Sequence, residues 1–371
     1  MRRVAIVIGT RPEAIKLAPV TAALRAIPGL HVRVIATGQH RTMLDQTFAD
    51  LDLAADIDLD LMRPGQSLAD FAGRCLAALG ATFARERPDY VVGQGDTATA
   101  LAAAHAAYLA GLPFGHVEAG LRSGDPDMPF PEEKNRTLVA QLATHHFCPT
   151  PAARANLLRE RIAPAAVHMT GNPVIDTLLA LAPERQPATG TRILVTVHRR
   201  ENHAGISGIV AALKALLARR PDAEAVWPMH PNPNVAEQLH PVVADEPRLR
   251  LIPPLSYRAF VAEMARATLI LTDSGGVQEE APALGTPVLV LRRKTERPEG
   301  VVAGVARLIG TEPVAIIQAV DTLLDDPAAY ADMARGLSPY GDGQAGPRIA
   351  GIVARYLLAT PSSPAQAGVL L

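Results

Sequence analysis

The chain has 371 residues, 48% of them hydrophobic and 20% charged, and its 36 Lys and Arg against 37 Asp and Glu leave a formal net charge of −1. That length exceeds what one hydrophobic core normally fills, so two domains are expected, and the balanced charge excludes capture of a nucleic acid by overall field. The only two cysteines, Cys75 and Cys148, exclude a disulfide scaffold or structural zinc site and fit a reducing compartment.

From the N-terminus, an apolar run at residues 4–8 leads into Gly9-Thr10-Arg11-Pro12. It is too short for a signal-peptide core and reads as a first strand, which points to a cytoplasmic protein. Further β-branched runs at 32–37, 90–92 and 114–117, then at 193–197, 225–229, 249–252, 268–272 and 288–291, alternate with helical patterns. Asp56, Asp58 and Asp60 alternate with Ile57 and Leu59 as in a half-exposed edge strand, and no metal site is expected. The most membrane-like stretch, 98–114, holds His105 and closes with Gly111-Leu112-Pro113, so it reads as a buried alanine-rich helix and no membrane is a partner. The βα repetition predicts an α/β protein of two Rossmann-like, doubly wound domains, with ligands beyond the carboxyl ends of parallel strands. Gly171-Asn172-Pro173, a short helix and the Pro- and Gly-rich stretch 183–190 separate the two strand groups. The expected division is an N-terminal domain over 1–172 and a nucleotide-binding domain over 173–344. A helix at about 345–359 packs back on the first domain, and 360–371 forms a turn-rich, flexible tail.

Chemistry is expected in the loops after strands. Thr272-Asp273-Ser274-Gly275-Gly276-Val277-Gln278-Glu279-Glu280 follows a strand and opens a helix that stops at Gly285. Its small residues free backbone N–H groups for a pyrophosphate, and Glu280, on the helical face of Gly276, suits the ribose hydroxyls. The competing readings are an ordinary tight turn and a serine-protease Asp-Ser-Gly-Gly motif, the latter at odds with a parallel βα setting. At the first strand end, Arg11 and Lys16 are two cations placed to meet a phosphate. Asp96, in Gly93-Gln94-Gly95-Asp96-Thr97, and Glu118, in His116-Val117-Glu118-Ala119-Gly120, follow neighbouring strands, and Glu132-Glu133 adds a third acidic group. Carboxylates gathered in one cleft can divide the work of general acid and general base. The stretch at Gly93 also fits a dinucleotide fingerprint with Glu118 as ribose acid, but Asp96 would set a negative charge in the pyrophosphate turn. His198-Arg199-Arg200-Glu201-Asn202 and Pro228-Met229-His230-Pro231 each set a histidine at a strand end, where it can neutralise a departing phosphate. His145, His146, His168 and His240 read as core or loop residues.

Together these blocks, with Gly38-Gln39-His40-Arg41, Gly120-Leu121-Arg122, Thr295-Glu296-Arg297-Pro298-Glu299 and Pro339-Tyr340-Gly341-Asp342-Gly343, resemble the non-hydrolysing UDP-N-acetylglucosamine 2-epimerases from Val4 to about Tyr356. The resemblance implies a glycosyltransferase-B-like pair of domains with the active site in the cleft between them, and a homodimer. It implies Asp96, Glu118, Glu132 and His198 as catalytic residues. Arg11, Lys16, Phe260, Ser274, Gly275, Gly276, Glu280 and Arg297 would contact UDP. Gln94 stands where the family often has histidine. Bacterial members bind a second substrate molecule as activator; Gln39, His40 and Gln66 fit that site, whereas Thr42 and Gly65 replace larger polar residues of some activated members.

C2 of the sugar has no neighbouring carbonyl carbon to acidify its proton. With no nicotinamide cofactor or metal, the accessible route is elimination of UDP from C1 with loss of the C2 proton, then re-addition to the opposite face of the glycal. A hydrolysing epimerase and a glycosyltransferase of the same architecture are the alternatives, followed by an NAD-dependent enzyme. The expected role is to supply an activated sugar for surface polysaccharide.

Overall fold

The computed structural model describes residues 1–38, 41–184, 190–199, 202, 205–229, 243 and 245–359. Gln39, His40, Arg200, Glu201, His230, His240, part of the 183–190 stretch and the tail from Thr360 lie outside the described residues. The chain divides into two compact units: Met1–Thr177 together with the segment from Gly341, and Leu178–Tyr340.

The first unit is built on strands β1 (Arg2–Ile8), β2 (Leu30–Ala36), β3 (Ile57–Asp58), β4 (Tyr90–Gln94), β5 (Phe114–Val117), β6 (His145–Cys148) and β7 (Val167–Met169). They form one parallel sheet in the order β3-β2-β1-β4-β5-β6-β7. Alternation along a strand sends neighbouring side chains to opposite faces. Val4, Ile6 and Ile8 therefore join one core with Leu17, Val20, Ile349 and Val353, while Ala5 and Val7 join another with Cys75, Leu79 and Ala103. Helices Arg11–Arg25 and Ala345–Ala359 cover the first face, and Leu68–Glu86 and Ala98–Leu109 the second.

Pro19 lies inside helix Arg11–Arg25 and has no N–H to offer the carbonyl four residues earlier. Thr177 Oγ1 donates to that Ile15 carbonyl at 2.6 Å. A Cβ at Gly346 would fall 2.8 Å from the Pro19 carbonyl oxygen, so glycine lets the helix Ala345–Ala359 start against this point. The Asp176 carboxylate accepts from Ala345 N at 3.2 Å and Gly346 N at 2.7 Å, satisfying two donors that the helix start leaves open.

The second unit holds β8 (Thr191–Thr196), β9 (Ala223–Pro228), β10 (Leu249–Ile252), β11 (Leu269–Thr272), β12 (Val288–Val290) and β13 (Ala306–Leu308), parallel in the order β10-β9-β8-β11-β12-β13. Ile193, Val195, Trp227, Leu269 and Leu271 pack under helices Ile206–Arg219 and Pro313–Asp325. In each sheet the strand order reverses about the first strand, between β1 and β4 and between β8 and β11. Ligands of open α/β sheets bind at such switch points. The loops concerned start at Gly9, Gly95, Val197 and Asp273.

Candidate active site

In the first unit, β1 runs almost directly into helix Arg11–Arg25. A Cβ at Gly9 would lie 2.2 Å from Thr99 Oγ1 and 2.7 Å from Thr37 Oγ1, so only glycine lets this turn press against the first turn of helix Ala98–Leu109 and the residue after β2. Arg11 follows, half-buried, with no hydrogen-bond or ion-pair partner among the described residues. Lys16, one turn on, does not point to open solvent: its Nζ donates to Glu118 Oε1 at 2.5 Å.

Glu118 follows β5 in the left-handed region, φ 62°, a conformation that costs a non-glycine residue on the order of 1 kcal/mol or more and marks functional positions. Its carboxylate is buried and also accepts from Gln94 Nε2 and, at 3.0 Å, from Asn172 Nδ2. The Gln94 amide thus serves Glu118 rather than its sequence neighbour Asp96.

Asp96 follows Gly95, itself at φ 74°. Arg136 Nε donates to Asp96 Oδ2 at 2.7 Å, Asn135 Nδ2 donates to the Asp96 carbonyl at 2.7 Å, and the second arm of Arg136 reaches Glu133 Oε2 at 2.7 Å. The helix Glu132–Leu142 therefore holds this loop. Burial raises the Asp96 carboxyl above its ordinary value, with the Glu118 charge acting the same way and Arg136 and Lys16 opposing. Of the acidic pair on that helix, Glu133 is committed to Arg136 and to Ser123 N, whereas Glu132 Oε2 is buried without a partner among the described residues. His116 Nε2 lies 2.7 Å from the Gly95 carbonyl; burial pushes this histidine down to about 4, so the neutral ring donates and steadies the turn before Asp96.

In the second unit, Asp273 is fully buried and organises the facing loop. Its carboxylate accepts from His198 N at 3.1 Å, Arg199 N at 3.0 Å and Asn202 Nδ2 at 3.0 Å, and lies 3.3 Å from His198 Nδ1. Ser274 caps a six-residue helix, Gly275–Glu280. A Cβ on Gly275 would sit 3.3 Å from Glu296 Oε1 and one on Gly276 3.3 Å from Glu280 Oε1, so the glycines admit two carboxylates to the turn. Glu280 accepts from Tyr257 Oη at 2.9 Å. Burial raises Glu296, but Arg292 and Arg199 outweigh it and hold that carboxyl at about 2. The Arg297 guanidinium is paired with Glu279, and Phe260 is half-buried on helix Tyr257–Arg266.

The structure thus groups Lys16, Asp96 and Glu118 in the first unit, where Arg11 and Glu132 open the helices Arg11–Arg25 and Glu132–Leu142, and His198 with the Ser274–Gly276 turn and Glu280 in the second. Gln66, of the expected activator site, is tied to Arg74 and to Arg63 N, while its companions Gln39 and His40 are not described. Sequence reasoning passed over Glu13, Arg136, Asn172 and the organising role of Asp273. Only Glu13 carried a readable signal, the Thr-x-x-Glu capping pattern of Thr10 and Glu13.

The family profile for UDP-N-acetylglucosamine 2-epimerase matches residues 22–354. The chain is 46% identical to the UDP-N-acetylglucosamine 2-epimerase of Escherichia coli K12 over 364 residues, covering 94% of this chain and 97% of that one. A crystal structure of UDP-GlcNAc 2-epimerase from Neisseria meningitidis bound to UDP-GlcNAc is 40% identical, with TM-score 0.86 over 96% of this chain and all of the other. The glycosyltransferase SnogD from Streptomyces nogalater, at 18% identity, shares the fold alone, with TM-score 0.64 over 95% of this chain and 99% of its own. With two doubly wound units, carboxylates at one switch point and a glycine turn at the other, and a match over nearly its whole length, the chain belongs to the UDP-N-acetylglucosamine 2-epimerase family.

Proposed function

We propose that this protein interconverts UDP-N-acetylglucosamine and UDP-N-acetylmannosamine without net hydrolysis, by eliminating UDP from C1 and re-adding it after the C2 proton has changed faces. The observation that carries this reading is the pairing of two unlike carboxylates at one switch point: Glu118, ion-paired to Lys16, and Asp96, whose carboxyl burial raises. Inversion at C2 requires a proton to leave one face and arrive at the other, and acid and base roles separate where surroundings push carboxyl groups apart. Glu132 Oε2, buried without a partner among the described residues, is a further proton carrier within the same set.

In the forward step the C2–H bond breaks to a carboxylate, its electron pair forms the C1–C2 double bond, and the C1–O bond breaks to release UDP. His198, Arg11 and the N–H groups from Ser274 to Gly276 receive the diphosphate charge, and Glu280 takes the ribose hydroxyls. Reversal with proton delivery to the other face of C2 yields the epimer. No cofactor or metal enters these steps; the negative charge of Asp96 in the turn after β4 disfavours a dinucleotide pyrophosphate there. The protein acts in the cytoplasm as a homodimer and supplies an activated sugar for surface polysaccharide.

Incubation with UDP-N-acetylglucosamine and analysis of the products tests the reading. UDP-N-acetylmannosamine as the lasting product supports it. Free N-acetylmannosamine with stoichiometric UDP makes the protein a hydrolysing epimerase, and sugar transferred only to an added acceptor makes it a glycosyltransferase. Asp96→Asn and Glu118→Gln are each expected to slow C2 proton exchange by roughly a hundredfold or more.

A further inference from the structure

We infer that Glu13 is a positioning residue for this reaction: through Thr97 it fixes the loop bearing Asp96 against the turn that leads into Arg11. The inference rests on the epimerase reading above. Glu13 is 1% exposed, and its two carboxylate oxygens serve different loops. Oε2 accepts from Gly9 N at 2.6 Å and Thr10 N at 2.7 Å, and Oε1 accepts from Thr97 Oγ1 at 2.5 Å. Thr10 precedes Arg11 and Thr97 follows Asp96. One buried carboxylate therefore cross-links the two loops that flank the reversal of strand order.

Helix capping alone does not require this arrangement. A capping box needs the glutamate only to reach back to the N-cap N–H, which an exposed side chain does at the helix surface. Here the second oxygen is committed to a residue 84 positions away, and burial lifts the carboxyl to about 7 against the donors that surround it. A buried group that opposes stability yet joins two functional loops has the signature of a site residue. Thr99, buried under Gly9, brings the helix that continues the Asp96 loop against the same turn. The other hydrogen-bond tethers of this turn among the described residues, from Arg136, Asn135 and His116 by way of Gly95, come from β5 and the helix after it, so Thr97 supplies its hydrogen-bonded link toward β1.

The test compares Thr97→Val, Thr97→Ser and Glu13→Gln with the wild type, reading kcat and KM for UDP-N-acetylglucosamine and the Kd for UDP by calorimetry. Thr97→Val is expected to lower kcat roughly tenfold or more, as misplacement of a reacting group does, with KM and Kd within twofold of wild type. Thr97→Ser, which keeps the hydroxyl, is expected to recover most of that loss. Glu13→Gln keeps an acceptor for Gly9 and Thr10 but weakens the contact with Thr97; it is expected to fold and to lose kcat by a smaller factor at unchanged KM. Wild-type kcat in both Thr97→Val and Glu13→Gln, a loss confined to KM, or Thr97→Ser as slow as Thr97→Val overturns the inference while leaving the epimerase reading intact. A wild-type protein that does not epimerise overturns both.

Discussion

The Glu13 carboxyl makes a quantitative prediction about stability. It is buried, and desolvation outweighs the hydrogen bonds from Thr97, Gly9 and Thr10, so it titrates at about 7 in the folded protein against 4.5 ordinarily. The folded chain therefore holds this proton more tightly than the unfolded chain. Its contribution to stability is full below pH 4.5 and is lost as pH rises toward and through 7. Integrating between these two values, the loss amounts to roughly 2–3 kcal/mol from pH 5 to pH 8. Glu13→Gln removes the titration, and its weakened contact with Thr97 shifts stability by an amount that does not vary with pH. The difference in unfolding free energy between variant and wild type should thus move by roughly 2–3 kcal/mol in the variant's favour over that interval. For a unit of this size that corresponds to a relative gain in Tm of about 5–10 °C. Thermal melts followed by circular dichroism at half-unit pH steps read the effect directly. Wild-type and variant Tm curves that run parallel from pH 5 to pH 8 would refute the assignment of a titrating buried carboxyl at Glu13. A variant more stable above neutral pH yet slower in turnover shows a group retained for function at the expense of stability.

His146 works in the opposite direction. It is buried, and desolvation, aided by the neighbouring histidines and Arg122, pushes it down to about 3, so unfolding takes up a proton below pH 6.5 and stability falls as the pH falls. His146→Leu should lose about 2 kcal/mol less than wild type between pH 7 and pH 5, measured by urea denaturation; equal losses would contradict the neutral buried ring. Asp273→Asn sets an amide NH2 among the donors from His198, Arg199 and Asn202, which should cost the second unit about 1–3 kcal/mol and weaken UDP roughly tenfold in calorimetry. Unchanged UDP affinity would remove that loop from the nucleotide site.

The parts of the fold visible in the sequence are those where physical chemistry acts locally. Central strands such as β1, β4 and β11 are buried on both faces, so they read as continuous apolar runs. The alternating aspartates around Ile57 announced the two-residue edge strand β3. Strands β6, β7 and β13 went unread because His-His-Phe-Cys, Val-His-Met and Ala-Arg-Leu carry little apolar periodicity; their pairing partners place them, with His146 in register between His116 and Val167.

The site divides along the same line. Lys16, Asp96, Glu118 and the Ser274–Gly276 turn stand at strand ends, where topology alone points to ligands. Arg136 and Asn172 reach Asp96 and Glu118 from 40 and 54 residues away, and no spacing rule anticipates that. Glu13 lay in plain view as a capping glutamate, but its second oxygen is explained only by Thr97, which the fold brings to it. Strand alternation would set Gln94 and Asp96, two residues apart, on one face, but β4 ends at Gln94 and the chain turns at Gly95, φ 74°, so the Gln94 side chain reaches Glu118 instead.

The central claim is that the C1–O bond breaks while the C2 proton is away. The most direct measurement uses UDP-N-acetylglucosamine carrying oxygen-18 in the bridge between C1 and the β-phosphate, incubated with the enzyme in heavy water. Elimination predicts that recovered substrate and product acquire deuterium at C2 and that the label moves from the bridging position to the other β-phosphate oxygens, because released UDP can rotate before it re-adds. Deuterium at C2 with the label still wholly in the bridge after many turnovers would contradict that account and leave Asp96 and Glu118 in need of another role.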